Sequence, residues 1–421
     1  METFESRNET GRAYGRPRAV PDETLVRCGP GTLGGELLRR YWQPVALSKE
    51  LSGFPKLVKI LDEELILYRD KSGKSGLLYP RCAHRGASLL HGKIEEHGIR
   101  CCYHGWLFDE QGRCLEMPCE PKNPLKARIR QPWYPLLEKF GILFTYMGPP
   151  ERQPVFPHFS LEDNLADDEE IASAWRETGP NNTFPKVAAW ADYNWWQMFD
   201  NFMDTFHVFV LHNSINDVQF ESSLGILPEV KFERTVDGVK SIQHRKLADG
   251  RIHQRVSQVI LPNMNCTPAV ADEDLIQSGI GWTVPIDDTH FRNCSIMRVR
   301  RDGATARMPN IGILRDDWGP KHGKLLREWT LEDHQEWQTD YMAQKGQGDI
   351  SLHSEEHLTQ IDAGTALMRQ LFKRQAEAVA KGENPIGVTF DSPYEIKVQA
   401  GNAILDPNTL ACIAGFDGRQ S

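Results

Sequence analysis

An amide, a carboxylate and two imidazoles are among the polar side chains of a largely apolar stretch, Asn194–His212, which reads NWWQMFDNFMDTFHVFVLH. They are Asn201, Asp204, His207 and His212. Polar groups among Trp, Phe, Met, Val and Leu need partners, because burying an unpaired polar group costs roughly 2–7 kcal/mol. A metal ion would be such a partner for the imidazoles. A buried amphipathic helix with two hydrogen-bonded histidines is the alternative, and this stretch alone does not decide between them.

The spacing of the two histidines constrains the backbone between them. On a straight helix, side chains five residues apart point about 140° away from each other, whereas those three apart, such as Asp204 and His207, fall within one turn. His207 and His212 therefore cannot both face one ion from an undistorted helix. Either the helix bulges between them, or His212 lies just beyond its end.

A second set of chemically active residues lies upstream, in the segments Cys82–Gly86 (CAHRG) and Cys101–Trp106 (CCYHGW). Each segment supplies one thiolate and one imidazole, which is the donor set of a binuclear cluster with two Cys on one iron and two His on the other, the Rieske arrangement. Cys101 is preferred to Cys102 because it gives a C-x-H and a C-x-x-H pair. A zinc site uses the same ligand types, but this spacing is unlike that of a zinc finger.

Composition limits the class of protein. The chain has 421 residues, which suits two domains, and its 40% hydrophobic and 25% charged residues indicate a globular protein. A net charge of -9 argues against nucleic-acid binding. We expect a cytoplasmic protein without a membrane span, since the sequence shows neither a signal-peptide core nor an apolar run of about 18 residues. Because the cytoplasm keeps thiols reduced, we do not expect the nine cysteines to form a disulfide framework.

The elements that position these motifs are predicted to be mainly short strands. A short helix at Gly31–Tyr41 precedes strands at Lys56–Ile60, Leu65–Tyr68 and Gly141–Tyr146, which predict a small antiparallel β domain around the cysteine loops. Residues 150–190, rich in Pro, Asn and acids, predict an interdomain connection and a surface insertion.

A second antiparallel sheet is predicted downstream of the histidines, with hairpin turns at two Asp-Gly pairs. Its strands are Val230–Arg234, Lys240–Arg245, Arg251–Leu261, Ile280–Val284 and Cys294–Arg300. Helical patterns resume at about Thr330, and the last strong one runs from Asp362 to Lys381. The histidines on the sheet, His244, His253 and His290, are expected to be surface or structural residues.

The two motifs, in this order, resemble those of a known family. Residues 82–106 resemble the cluster-binding loops of Rieske non-haem iron ring-hydroxylating oxygenases, and Asn201-x2-Asp204-x2-His207-x4-His212 resembles their mononuclear iron motif. Residues 28–44 resemble the phthalate dioxygenase-like group of oxygenase (alpha) components. The resemblance implies an α+β fold: an arm and helix (1–45), an all-β Rieske [2Fe-2S] domain (46–150) and a helix-grip catalytic domain on an antiparallel sheet (151–421).

The resemblance also implies the ligands of two metal centres. The ligands of one [2Fe-2S] cluster would be Cys82, His84, Cys101 and His104. One Fe2+ would be held by His207, His212 and Asp362, a 2-His-1-carboxylate triad. By local sequence alone Asp362 reads as a helix N-cap, a role that Asp fills readily. The other candidate carboxylates are Asp340, Glu355 and Glu356.

Two further residues receive catalytic roles from the resemblance. Asp204 would accept hydrogen bonds from an iron histidine and from a cluster histidine of a neighbouring subunit, and so provide a short electron route. This implies a closed oligomer, a homotrimer or a dimer of trimers. Asn201 would lie close to the iron without firmly coordinating it.

The implied function is that of the terminal oxygenase component, which uses O2 and NADH-derived electrons to hydroxylate an aromatic compound. An aromatic carboxylate and cis-dihydroxylation are preferred, and O-demethylation of a methoxylated aromatic acid is the alternative at the same iron. A Rieske electron-transfer or redox protein is the alternative from a different class. No plant-type ferredoxin cysteine run is present, so a separate reductase with flavin and ferredoxin-type domains is expected.

The substrate pocket is the least determined part of the site. Apolar residues that flank the motif are candidate walls, although ordinary core is an equally good interpretation: Met198, Phe202, Phe206 and Val210. Several arginines are candidates to bind a substrate carboxylate, and the sequence does not choose among them: Arg245, Arg251, Arg255, Arg292 and Arg298.

Overall fold

The described chain begins with two short helices that lead into the β region. The computed structural model describes residues 18–175, 191–214, 220, 222–268, 277–300 and 329–416. Helix α1 spans Glu23–Val26 and α2 spans Leu33–Leu38. The Thr32 side chain accepts a hydrogen bond from the Gly35 N–H and so caps α2. The predicted short helix is therefore present, within the expected segment.

The region around the cysteine motifs is built from small antiparallel sheets, as predicted. Its strands are β1 (Trp42–Leu47), β2 (Lys56–Ile60), β3 (Glu63–Arg69), β4 (Ser75–Leu78), β5 (Lys93–Glu95), β6 (Gly98–Arg100), β7 (Leu107–Phe108), β8 (Cys114–Glu116), β9 (Trp133–Tyr134), β10 (Leu136–Lys139) and β11 (Ile142–Tyr146). They form three sheets with the orders β1-β11-β10, β2-β3-β4-β9 and β5-β6-β7-β8. One cysteine loop lies between β4 and β5, and the other between β6 and β7. Each loop is therefore held at both ends by strands that are paired within a sheet.

The second region is dominated by one large antiparallel sheet, also as predicted. Its strands are β13 (Glu169–Trp175), β14 (Glu229–Arg234), β15 (Gly238–Lys246), β16 (Ile252–Ile260), β17 (Met264–Cys266), β18 (Ile280–Asp287), β19 (His290–Arg300), β21 (Gly401–Leu405) and β22 (Cys412–Gly415). The order is β13-β19-β18-β17-β16-β15-β14, and β21 pairs with β16 and β22. A separate parallel pair joins β12 (His158–Phe159) to β20 (Glu395–Ile396).

One prediction is corrected by this sheet. Residues 150–190 were expected to be an interdomain connection, yet β13 within them pairs with β19 along its whole length, from Glu169 opposite Arg300 to Trp175 opposite Cys294. The acidic run before β13 masked the strand, because Asp and Glu are depleted in strands. Residues 176–190 lie outside the described part of the chain.

The described part of this region also contains helices, of which the first and last in chain order contact the large sheet. They are α3 (Trp195–Asn201), α4 (His207–Leu211), α5 (Leu331–Glu336), α6 (Asp340–Lys345) and α7 (Ala363–Ala380). Helix α7 packs against α2, β14 and β15. Phe372 of α7 lies edge-on to Trp196 of α3, with 4.7 Å between the ring centroids, and both side chains are buried. This aromatic contact fixes α3, and therefore the start of the predicted iron motif, against the longest helix.

Within the described ranges, no helix is both long enough and apolar enough to span a membrane.

Candidate metal centres

The two cysteine loops share one backbone design. In the first loop the Cys82 N–H donates to the Ala87 carbonyl (2.8 Å), and the Gly86 N–H donates back to the Cys82 carbonyl (2.8 Å). In the second loop the Cys101 N–H donates to the Trp106 carbonyl (2.8 Å), and the Gly105 N–H donates back to the Cys101 carbonyl (3.1 Å).

The glycine of each loop is required by the backbone conformation. The φ angles of Gly86 and Gly105 are 72° and 74°, in the left-handed region that favours glycine. Each loop therefore turns tightly just after its histidine and presents its thiol and imidazole on one side.

The four predicted cluster ligands are brought together. Cys82 and Cys101 are both buried, and their thiols are within hydrogen-bonding contact. The rings of His84 and His104 lie edge to face, with 4.5 Å between centroids. Cys102 is exposed, so the structure places the preferred Cys101, rather than its neighbour, beside Cys82.

The chemistry of this donor set fits a [2Fe-2S] cluster. The Nδ1 atom of His84 is buried and has no hydrogen-bond partner within the described ranges, although the ring is held by stacking on Trp106 at 4.3 Å. Burial raises the pKa of the Cys82 thiol to about 11. A buried pair of thiols and an unsatisfied imidazole nitrogen are costly in a metal-free protein, and metal binding would relieve both by taking the thiolates and the nitrogen as ligands.

A residue that the sequence interpretation missed holds the first loop in place. The fully buried Gln131 side chain donates from Nε2 to the carbonyls of Tyr79 and Arg81 (2.8 Å each), and its Oε1 accepts from the Ala83 N–H (2.7 Å). Gln131 lies 48 residues from Ala83, and nothing in its local sequence marks it.

The histidine motif is divided between two helices. Helix α3 ends at Asn201 and α4 begins at His207, so Asp204 lies in the connection between them. His212 is the residue that caps the C-terminus of the five-residue helix α4. Of the two expected geometries, the structure therefore has His212 just beyond the helix end.

Three ligand atoms converge at this point. The Nε2 atoms of His207 and His212 lie 3.5 and 3.3 Å from Oδ1 of Asp340, the first residue of α6, and the three atoms are within 4.8 Å of one another. Burial raises the pKa of the Asp340 carboxyl, but the nearby imidazoles, His212 first, lower it by more, so the net pKa is well below its usual range. Two imidazoles and one carboxylate are the facial triad of non-haem Fe(II) oxygenases.

Asp362, the predicted carboxylate ligand, is not part of this group, and the structure corrects that prediction. Its Oδ2 accepts hydrogen bonds from the N–H (2.7 Å) and hydroxyl (3.2 Å) of Thr359, just before α7. Asp340 and Asp362 both stand at helix N-termini, where Asp is favoured for purely structural reasons. The local sequence therefore does not distinguish the two, and the tertiary fold selects Asp340.

Asp204 and Asn201 orient the triad. His207 Nδ1 lies 2.5 Å from the Asp204 carbonyl, and a hydrogen bond there leaves Nε2 as the metal-binding atom. The Asp204 carboxylate accepts from the Phe206 and His207 N–H groups, its Oδ2 lies 3.7 Å from His207 Nδ1, and its side chain is 42% exposed. Asn201 Nδ2 lies 3.3 Å from Asp340 Oδ1 and 3.5 Å from His207 Nε2.

A cavity of about 160 Å³ extends from the triad to the large sheet. Of the four candidate wall residues, Met198 and Phe202 line the cavity, whereas Phe206 and Val210 do not; Val208 also lines it. Val210 is instead 43% exposed.

Of the five candidate arginines, Arg255 alone lines the cavity. Arg251 is paired with Asp249 at the surface. Arg298 donates to the Leu161 carbonyl (2.8 Å). Arg245 is fully buried but is not among the lining residues, and neither is Arg292.

The other histidines of the sheet have structural partners, as expected. His244 Nε2 lies 3.1 Å from Gln254 Oε1, and His290 Nδ1 lies 2.9 Å from Asp287 Oδ1. His253 is buried and is not part of the ligand group.

Comparisons with known proteins agree with this arrangement. The Rieske [2Fe-2S] domain family matches residues 41–140. The chain is 41% identical over 399 residues to the phenoxybenzoate dioxygenase subunit alpha of Ectopseudomonas oleovorans, covering 93% of this chain and 94% of the relative. It is 31% identical to the 5,5'-dehydrodivanillate O-demethylase oxygenase subunit of a Sphingobium species, and the match covers 89% of this chain and 84% of the relative.

Solved structures share the fold. Dicamba monooxygenase bound to dicamba superposes with a TM-score of 0.56 at 18% identity, covering 82% of this chain and 99% of that one. The terminal oxygenase of carbazole 1,9a-dioxygenase from Novosphingobium also superposes with a TM-score of 0.56, at 19% identity. The match covers 84% of this chain and 94% of that one. With relatives above 30% identity along most of its length, the chain belongs to the Rieske non-haem iron oxygenases, as an oxygenase component with a [2Fe-2S] cluster and a mononuclear iron.

Proposed function

We propose that this oxygenase hydroxylates an aromatic carboxylate by cis-dihydroxylation of its ring. The observation that carries the proposal is the cavity that joins the His207, His212 and Asp340 group to the sheet. Its volume of about 160 Å³ is close to that of an apolar cavity that accommodates benzene. The 41% identical relative is named for an aromatic carboxylate, which supports the substrate class.

The residues that we propose as ligands follow from the two convergent groups. Cys82, His84, Cys101 and His104 would hold the cluster, and the triad would hold the iron. When bound, the cluster supplies electrons and the iron activates O2. The chain itself orients the His207 ring through the Asp204 carbonyl and places Met198, Phe202 and Trp282 around the substrate ring. These side chains also exclude water from the reacting carbon.

We propose that Asp204 connects two subunits. Its half-exposed carboxylate lies at the edge of a polar surface pocket whose lining includes Glu355, Glu356 and Asp362. This acidic surface is complementary to the cluster tip, where Arg85 is exposed beside the two histidines. A cluster histidine of a neighbouring subunit would donate to Asp204, which requires a closed ring, a homotrimer or a dimer of trimers.

We further propose a separate NADH-dependent reductase as the electron donor, working with this chain in the cytoplasm. The relatives are named as single subunits of oxygenase systems, which supports a divided system. All nine cysteines are free thiols in the structure, which suits a reducing compartment.

O-demethylation is the second candidate reaction. It is favoured by the O-demethylase oxygenase subunit among the relatives, which is 31% identical along most of this chain. The same triad and cavity would serve, with a methoxy carbon rather than a ring edge facing the iron.

Product analysis under isotopically labelled O2 tests the function and separates the two reactions. The oxygenase is incubated with a reductase, NADH and a panel of phthalates, phenoxybenzoates and methoxylated benzoates. Dihydroxylation would place both labelled oxygen atoms in a diol, whereas O-demethylation would release formaldehyde and leave a phenol. A His212→Ala variant is the inactive control. If no panel member stimulates O2 consumption above that control, the proposed substrate class is wrong.

A further inference from the structure

A single arginine of helix α7 joins two carboxylates from separate segments of the chain. The Arg369 side chain is only 12% exposed, and its Nε donates to both carboxylate oxygens of Asp200 (3.2 and 3.1 Å). Its Nη2 donates to Oδ2 of Asp200 and to Oε1 of Glu356 (3.0 Å), and its Nη1 donates to the other oxygen of Glu356. The planar guanidinium is therefore held by four carboxylate oxygens, an arrangement that an ammonium does not reproduce.

Asp200 lies in the last turn of helix α3, directly before Asn201. The amide Nδ2 of Asn201 lies 3.3 Å from Oδ1 of Asp340 and 3.5 Å from Nε2 of His207. The chain then turns through Asp204, whose carbonyl lies against the other ring nitrogen of His207. The acid that the arginine binds is thus adjacent in sequence to the amide that contacts two of the three proposed ligands.

Helix α7 holds both ends of α3. Phe372 lies three residues after Arg369 and therefore on the same side of α7. Its ring packs against Trp195 and Trp196 at the start of α3, with centroid distances of 5.8 and 4.7 Å. Arg369 binds Asp200 at the other end of α3. Apolar packing is non-directional, whereas charge-assisted hydrogen bonds to a planar guanidinium set orientation, so the ionic contact fixes the end of α3 that adjoins the ligands.

The two acids depend on the arginine for charge compensation. Burial raises the pKa of the Asp200 carboxyl to about 6, the Arg369 guanidinium opposes that rise, and the Glu356 carboxylate adds to it. Removing one partner of a buried ion pair leaves an uncompensated charge, which is strongly destabilising. Loss of Arg369 would therefore drive the Asp200 side chain toward water, and the end of α3 would move with it.

We propose that Arg369 is a positioning residue for the mononuclear iron site. Acting through Asp200, it fixes the end of α3 and so holds the Asn201 amide beside His207 and Asp340. Its guanidinium has no acceptor atom and supplies no ligand of its own. The inference rests on the proposed ligand group and adds to it a residue that acts on the group from a different helix.

Competition with a ferrous chelator tests this role without turnover. Under anaerobic conditions it measures the Kd of the full-length holoprotein for its mononuclear iron, and the absorbance of the cluster serves as the internal reference. Electron paramagnetic resonance with nitric oxide as the probe reports the symmetry of the ferrous site. The variants are Arg369→Gln, Arg369→Lys, Asp200→Asn and the double variant Arg369→Gln/Asp200→Asn. Lys373→Gln is the control, because it removes a more exposed ion pair, with Asp22, one turn further along α7.

The expected result is a loss confined to the mononuclear iron. Arg369→Gln should raise the Kd for this iron about 10-fold, the low end of the range for groups that support metal ligands, because it acts through Asn201. Its nitric oxide spectrum should broaden, and its cluster absorbance should stay unchanged. Arg369→Lys and Asp200→Asn should each raise the Kd by less, since an ammonium keeps the charge without the planar fork and Asp200→Asn leaves no uncompensated acid. The double variant should lie closer to the wild type than Arg369→Gln does, and Lys373→Gln should match the wild type.

Several outcomes would overturn the inference. A wild-type Kd and nitric oxide spectrum in Arg369→Gln contradict it, and so does a double variant that binds iron no better than Arg369→Gln, because the effect would then not pass through Asp200. Should Arg369→Gln fail to fold, wild-type values in both Arg369→Lys and Asp200→Asn contradict it. A wild-type protein with only about two irons per chain, all in the cluster, would overturn the proposed ligand group as well. Normal iron binding in both the wild type and Arg369→Gln would remove only the role of Arg369.

Discussion

The two metal centres of this chain are built in contrasting ways. The proposed cluster site consists of two six-residue loops, Cys82–Ala87 and Cys101–Trp106, each closed by its own pair of backbone hydrogen bonds. The proposed mononuclear site joins His207 and His212 to a carboxylate 128 residues away from His212, on a different helix. A site made of local loops leaves a spacing pattern in the sequence, whereas a site completed by tertiary packing leaves none for its distant member.

The largest effect expected from this contrast concerns the cluster loops. Cys101→Ser should abolish the cluster and its visible absorbance, because it removes a proposed ligand whose buried thiol contacts Cys82. Cys102→Ser is the matched control, since its thiol is exposed one position away. It should retain full cluster content by iron and sulfide assay. Equal losses in the two variants would show that the loop does not select between adjacent cysteines.

The next effect concerns the connection between the centres. Asp204→Asn should keep both metals, because the backbone carbonyl that holds His207 is unchanged. It should nevertheless reduce coupled turnover by at least about the 10- to 100-fold typical of residues that orient metal ligands. Stopped-flow reoxidation of the reduced cluster, with substrate present, measures the step. Normal turnover in this variant would refute the proposed bridge.

A smaller effect is expected from the residue that supports the first loop. Gln131→Ala removes three hydrogen bonds and leaves the Ala83 N–H and two carbonyls without that partner. The free energy of unfolding should fall by about 1–3 kcal/mol for each group left unsatisfied. Water that enters the site and hydrogen-bonds to these groups would reduce the loss. Denaturant titration of the holoprotein measures it, and the exposed Gln111→Ala is the control. Unchanged stability and cluster retention in Gln131→Ala would show that the loop is self-supporting.

The contrast also explains what could be predicted from the sequence. The strand at Lys56–Ile60 and the hairpins of the large sheet were predicted because alternation and turn residues are local signals. The pair Cys82 and Cys101 was predicted because its spacing is encoded in the loops.

The failures share one cause, which is that the decisive contact is remote. Asp340 and Asp362 look alike as helix N-terminal carboxylates, and only the fold shows which one faces the histidines. Strand β13 was hidden in an acidic segment because its partner, β19, lies more than a hundred residues further along the chain. Gln131 was missed for the same reason.

The central claim is that Asp340, and not Asp362, completes the mononuclear site. Iron quantitation of Asp340→Ala and Asp362→Ala tests it most directly, because the two substitutions are chemically identical and both remove an acid at a helix N-terminus. The account predicts about two irons per chain, all in the cluster, for Asp340→Ala, and about three for Asp362→Ala. About three irons in Asp340→Ala together with about two in Asp362→Ala would contradict it.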